Sequence, residues 1–317
     1  MTDIVCLNEK FSTTQLLTKE KPSLENKSED KFETVLFLPK NTDRNTEGGL
    51  RTKDYFKNSF PEKPLITIVT VTYNSELYLE ETIKSVLSQT YDNVEYIIID
   101  GGSTDRTLDI LKKYEDTIDY FVSEPDKGMY DALNKGFSVA TGELLNFCNS
   151  DDMFYSNDII EKIVNAYIQE KFDFCYGIAA FVDAEGEHLS YGYPLDFKKR
   201  YVVTLGLPFV QPTSFWKMSI MKKTGLFDLN YKIASDYDFI SRLLLQSNHI
   251  YNMNLPVIKF RKHGVSFGDK NTNIALQETS EIKSNLVIDL KMNKILIPIL
   301  ELYDRLSQKI YRMARTN

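Results

Sequence analysis

The residues most able to do chemistry are acidic ones placed directly after apolar runs. Asp100 closes the run Glu95-Tyr96-Ile97-Ile98-Ile99. Asn149, Asp151 and Asp152 follow Leu144-Leu145-Asn146-Phe147, and Asp236 and Asp238 stand where a helical stretch begins. Carboxylates gathered on one edge disfavour each other's ionisation unless a positive group offsets them. A divalent cation bridging phosphate oxygens supplies that offset, and hard oxygen ligands suit magnesium or manganese. Each residue also has a structural reading. Asp100 is able to form a turn with Gly101, and Asp151, Asp152 and Asp236 are able to cap helices. Ser156 or Asn157 can cap the helix after Asp152 equally well, so the chemical reading leads there.

The elements that must position these residues follow from periodicity. Residues 65–72 form a β-branched run of strand length, the pattern of a strand buried on both faces. Asn74 or Ser75 is placed to cap a helix in which Leu79, Ile83, Val86 and Leu87 recur at helical spacing. Strand and helix then alternate: a strand over 95–100, a helix opened by Thr104, a strand over 120–122, a helix over 129–139 and a strand over 143–147. Such alternation predicts βαβ units and a mainly parallel sheet with helices on both faces. Right-handed crossovers collect the loops after the strands on one edge, where ligands bind. Further on, a helix is expected to about 169, short strands near 174–176 and 180–182, and a helix over 235–245. No GxGxxG follows the first strand, where Thr72-Tyr73-Asn74 stands instead, which argues against a dinucleotide oxidoreductase.

With 317 residues and 42% apolar content the chain can bury a real core. Its formal net charge of −7 and the lack of a long basic stripe exclude nucleic acid as a partner. Cys6, Cys148 and Cys175 are far apart and odd in number, so neither a zinc site nor a disulfide framework is expected. Cys148 is read as packing. No basic segment followed by an apolar run opens the chain, and no apolar run is long enough to span a bilayer. The expectation is a cytoplasmic enzyme, with at most peripheral contact at the inner face of the membrane.

Six motifs occur in order: Val71-Thr72-Tyr73-Asn74, Asp100-Gly101-Gly102-Ser103-Thr104-Asp105, Ser123-Glu124-Pro125-Asp126-Lys127-Gly128, Asn134-Lys135-Gly136, Asn149-Ser150-Asp151-Asp152 and Ser235-Asp236-Tyr237-Asp238. Together they resemble family 2 glycosyltransferases, inverting enzymes of the GT-A fold, of the type that builds bacterial surface polysaccharides. The resemblance implies transfer of a sugar from a nucleotide-diphosphate donor to a hydroxyl of a glycan or lipid-linked acceptor. It implies that Thr72, Tyr73, Asn74 and Asp100 meet the nucleotide. Asp126, Asn134, Lys135 and Gly136 would line the diphosphate and sugar. Asn149-Ser150-Asp151 stands in the place of the family's DxD metal motif, so Mn or Mg is expected chiefly on Asp151, with Asn149 ligating through its carbonyl and Asp152 helping or meeting the sugar. Asp236 matches the general base, and Gln211 lies where a sugar is bound. Two departures, Asn149 for the first carboxylate and Ser235 for an acid before the base, keep open the alternative of a sugar-nucleotide-binding module without transfer. Trp216 is either a stacking platform or core, His263 a late-loop ligand or structural, and Asp238 a helix cap.

Three regions are expected: a polar, partly disordered leader over 1–60 with one short strand at 34–38, a GT-A domain over 61–270, and a helical extension over 271–317 broken at Pro298. In the last helix Ile299, Leu302, Tyr303, Leu306, Ile310 and Met313 share a face, and its polar face ends in Lys309, Arg312 and Arg315. The apolar face docks on the catalytic domain, joins a second subunit in a homodimer, or rests on an anionic membrane.

Overall fold

A computed structural model describes residues 4–262 and 272–315. Residues 4–60 lie against the remainder: Leu17 and Leu50 are buried, and Thr46–Gly48 (β1) pairs antiparallel with Tyr120–Ser123 (β4). No strand forms at 34–38. There Val35 N–H donates to the Ser138 carbonyl (2.8 Å) and Leu38 N–H to the Tyr120 hydroxyl (3.2 Å), so the run is held by single bonds to the domain and not by a ladder. Arg51 anchors the segment: its guanidinium is buried, 2.5 Å from Glu95 and 2.7 Å from the Val139 carbonyl.

Ile66–Thr72 (β2) and Val94–Asp100 (β3) are buried along their whole length, as strands covered on both faces must be. They run parallel, with Thr72 opposite Asp100; β4 adds to β3 with Ser123 opposite Asp100, and Leu144–Phe147 (β5) adds to β2. The remaining strands are Met153–Phe154 (β6), Phe174–Val182 (β7), His188–Gly192 (β8), Phe215–Lys217 (β9) and Ile250–Arg261 (β10). The expected short strands near 174 and 180 are one continuous strand. Among the described residues the sheet order is β1-β4-β3-β2-β5-β9-β7-β10-β6, with β8 on β7. Antiparallel β9 sits between β5 and β7, so the sheet is mixed.

Alternate residues of each strand serve opposite layers. Ile66 and Ile68 pack with helices Leu79–Leu87 (α1) and Ile159–Glu170 (α4), alongside Cys148. Val69 and Val71 pack with Met129–Ser138 (α3) and Ser235–Gln246 (α7). Helix Thr107–Lys113 (α2) begins later than Thr104, and α1 has no side-chain cap; Asn74 is held left-handed at φ 49° instead. Tyr201–Thr204 (α5) and Met218–Thr224 (α6) flank α7. The penultimate helix, Thr272–Asp289, places Ile282, Leu286 and Val287 in the same core. The terminal helix is Ile297–Arg315. The break before it falls at 290–296, because Pro298 suits a helix's first turn, where its missing N–H has no partner to lose. Among the described residues no helix is long and apolar enough to cross a membrane.

Candidate active site

Parallel pairing brings the ends of β4, β3, β2 and β5 to one edge, and the candidate residues meet there. Asp100 is fully buried. Its Oδ2 accepts the Gly102 N–H (3.1 Å), the Ser103 N–H (2.9 Å) and the Ser123 hydroxyl (2.6 Å), and the Ser103 hydroxyl donates to Oδ1. A carboxylate so held shapes its loop, with Oδ1 accepting a single bond. Ser103 Oγ accepts the Asn74 N–H (2.8 Å), and Asn74 Oδ1 accepts the Thr104 N–H (2.9 Å). Asn74 is thereby also committed to the loop. Tyr73 is 64% exposed at this edge, and the Thr72 hydroxyl is buried with no hydrogen-bond partner among the described residues. An orphaned buried hydroxyl is costly and favours an incoming polar group.

Asp126 is half-buried. Its Oδ1 accepts the Gly128 N–H (2.7 Å), and burial pushes its pKa up. A methyl group at Gly101 would lie 2.6 Å from that carboxylate, so glycine leaves it room. The motif Asn134-Lys135-Gly136 is engaged by contacts within the protein. Asn134 bonds both ways with the Phe227 backbone (2.8 and 2.9 Å), Lys135 pairs with Glu124 at 2.8 Å, and a Cβ at Gly136 would overlap Val69. Its residues pin a loop, satisfy an acid and let α3 approach the sheet.

The loop after β5 is tied to the loop after β2 by the hydroxyls of Ser150 and Ser75, 3.0 Å apart. Asp152 is buried; its oxygens accept the Arg261 N–H (3.0 Å) and the Asn149 Nδ2 (3.0 Å), and burial, with the Asp151 charge, raises its pKa well above the usual range. Asp152 is therefore an internal brace and not a sugar ligand. Asp151 is half-buried on the same loop, its carbonyl receiving Arg261 Nε at 3.1 Å. The buried Arg261 head group lies over the Tyr78 ring (4.4 Å) and pairs with Glu81 (2.6 Å). No cluster of three His, Cys, Asp or Glu among the described residues could cage a metal. Magnesium-type sites often use one or two protein oxygens and complete the shell with substrate phosphates and water. The Asp151 carboxylate and Asn149 carbonyl fit that donor set. His263 lies outside the described residues.

Asp236, in the first turn of α7, is held from three sides. Gln211 Nε2 donates to Oδ2 (2.8 Å), while the Tyr237 N–H (2.7 Å) and the Tyr130 hydroxyl (3.3 Å) reach Oδ1. Burial raises its pKa. The turn carrying Gln211 is fixed to the sheet by Asn146 of β5, whose Nδ2 bonds the carbonyls of Pro212 (3.0 Å) and Ser214 (2.8 Å). Gln211 and Asp236, both singled out in the sequence, are thus brought into contact. Asp238 does not cap the helix; it pairs with Arg242 at 2.8 Å. Trp216 is wholly buried among Phe137, Phe147, Phe174 and Phe239, so it is core and not a sugar platform.

Three residues that matter here were not singled out. Tyr130 donates to the Ile233 carbonyl (2.5 Å) and lies 3.3 Å from Asp236, Arg261 braces the Asn149–Asp152 loop, and Glu278 of the penultimate helix accepts the backbone N–H groups of Lys232 (2.8 Å), Ile233 (2.9 Å) and Ala234 (2.9 Å), immediately before α7. Arg261 had a local signal, a charge ending an apolar strand. Glu278 had none, because its partners are over forty residues away.

A mixed sheet with a parallel core, helices on both faces and acidic loops gathered at the ends of its parallel strands has the architecture of GT-A glycosyltransferases. The family model described as glycosyl transferase family 2 matches residues 67–225. An uncharacterized glycosyltransferase of Mycobacterium tuberculosis is 34% identical over 188 residues, covering 57% of this chain and 70% of that protein. Another, from Rickettsia typhi, is 31% identical over 228 residues and 70% of each chain. The crystal structure of S. aureus TarS 1-349 in complex with UDP-GlcNAc shares the fold, with a TM-score of 0.54 at 18% identity over 74% of this chain and 78% of that one. The chain belongs to glycosyl transferase family 2.

Proposed function

We propose that this glycosyltransferase moves a sugar from a nucleotide-diphosphate donor to a hydroxyl of a glycan or lipid-linked acceptor with inversion, using Asp236 as general base. The observation that carries the reading is the Gln211–Asp236–Tyr130 cluster at the strand-end edge. Gln211 occupies one lone-pair direction of Asp236 Oδ2 and leaves the other for an incoming O–H. Burial raises the basicity of Asp236, which favours proton abstraction near neutral pH. The acceptor oxygen attacks the anomeric carbon as the bond to the diphosphate oxygen breaks, and the hydroxyl proton passes to Asp236. Tyr73, the Thr72 hydroxyl and Asp126 border the space where the donor lies. Asp151 and Asn149 would hold magnesium or manganese, which supplies charge neutralisation for the leaving diphosphate. The domain would span about 61–270, with the working location on the cytoplasmic side.

Calorimetry with a panel of nucleotide-sugars, in manganese, magnesium or EDTA, tests the donor and metal assignments. Metal-dependent binding of one donor, abolished by Asp151→Ala, is the expected result. A folded protein that binds no donor under any condition overturns them.

A further inference from the structure

The terminal helix is mounted with its polar side inward. Asp304 is completely buried: Arg200 donates to it twice from Nε and Nη2 (3.0 and 2.7 Å), and the Thr204 hydroxyl adds a third bond (2.7 Å). At roughly 100° per residue, Ile299, Leu302, Leu306, Ile310 and Met313 fall on the opposite side of the helix from Asp304, and Tyr303 borders them at about 100° from Asp304, with the Arg200 guanidinium 5.9 Å from its ring. These six side chains are 54–68% exposed, and Ile295 just before them is 81% exposed. The expectation that this apolar face docks on the catalytic domain is therefore overturned. The bidentate Arg200–Asp304 clasp prevents the helix from rolling over to bury it. A contiguous apolar stripe of this length on a folded surface marks a docking face.

Charge identifies the occupant. From Lys291 to Arg315 the sequence carries six lysines and arginines against two acids, in a chain whose net charge is −7. One of those acids, Asp304, is already neutralised by Arg200. Arg305 and Lys309 are exposed beside the stripe. Pairing two copies through this face would set basic helices side by side. An anionic lipid surface accepts the apolar stripe and the flanking cations together. We propose that the terminal helix lies in the interface of an anionic membrane and holds the enzyme there. The clasp also sets the catalytic edge relative to the lipid, because α5, which contains Thr204, also receives the Tyr237 hydroxyl on its Val202 carbonyl, one residue from Asp236. An acceptor embedded in the same membrane would then approach the general base from the helix side.

The test is flotation of the full chain with vesicles of phosphatidylglycerol and phosphatidylcholine, or of phosphatidylcholine alone, beside sedimentation equilibrium. The wild-type chain should float with the anionic vesicles and not the zwitterionic ones, release as salt is raised, and sediment as a monomer without lipid. The variant Leu302→Gln/Leu306→Gln/Ile310→Gln changes only exposed positions and should lose at least tenfold in partitioning while keeping donor affinity. Wild type that stays in solution with both vesicle types overturns the proposal. So does equal binding to both, or a dimer that the triple variant dissolves. Donor affinity measured on the same preparation separates failure here from failure of the donor assignment.

Discussion

Replacing Glu278 tests whether the C-terminal segment sustains the active-site turn. Its carboxylate serves three successive backbone N–H groups, on Lys232, Ile233 and Ala234. Burial pushes its pKa upward, but the three hydrogen bonds prevail and hold it below the usual glutamate range. A hydrogen bond to a charged group contributes about 1.5–3 kcal/mol. Water can replace the one at exposed Lys232, whereas Ala234 is buried, so Glu278→Ala should cost about 2–4 kcal/mol. Glu278→Gln should lose less, since its amide oxygen can still accept the Ile233 and Ala234 N–H groups, which share one carboxylate oxygen, and only the Lys232 bond is given up. Urea denaturation followed by the fluorescence of Trp216, the only tryptophan and fully buried, reads the loss directly. Because the depressed pKa makes this stabilisation fully present above the unfolded glutamate value of ~4.3 and lost as pH falls through the lower folded value, the gap between wild type and variant should close on acidification. Turnover should fall further than donor affinity, as the turn leads directly into Asp236. A variant with unchanged denaturation midpoint and kcat would refute the reasoning.

Two other substitutions probe the remaining parts. Asp236→Asn should lower transfer by about 10²–10⁴-fold with donor affinity retained by calorimetry, and the acid limb of the wild-type kcat/KM profile should lie above the ordinary aspartate value of ~3.9, because burial raises this group; equal losses of binding and turnover would remove it from the base role. Arg51→Met strands the buried Glu95 carboxylate, whose other partners are the hydroxyls of Thr67 and Thr141 and the Thr141 N–H. Breaking such a pair costs about 3–5 kcal/mol, so a much smaller loss in urea would mean that residues 4–60 contribute little to the domain.

What the sequence determined by itself is the alternation of β-branched runs and amphipathic stretches, because strand and helix periods are local properties of neighbouring residues. That alternation carried the parallel core of the sheet and the edge on which acids collect, whereas the family was legible only in the six ordered motifs. Asp236 was legible as an acid at a helix start, but its role and the choice of Gln211 came only from the family resemblance. Tertiary structure decided which acids are spent internally. Asp100 and Asp152 read as ligands in sequence; their oxygens accept local donors of Ser103 and Asn149, joined by the Ser123 hydroxyl and the Arg261 N–H from distant segments. Asn134 and Lys135 are likewise taken by Phe227 and Glu124. The orientation of the terminal helix was also beyond local reading. Its amphipathic pattern is plain in the sequence, but which side faces the protein depends on Arg200, 104 residues earlier, meeting Asp304. Contacts at that separation leave no local trace, because periodicity reports a residue's face and not the partner that comes to cover it.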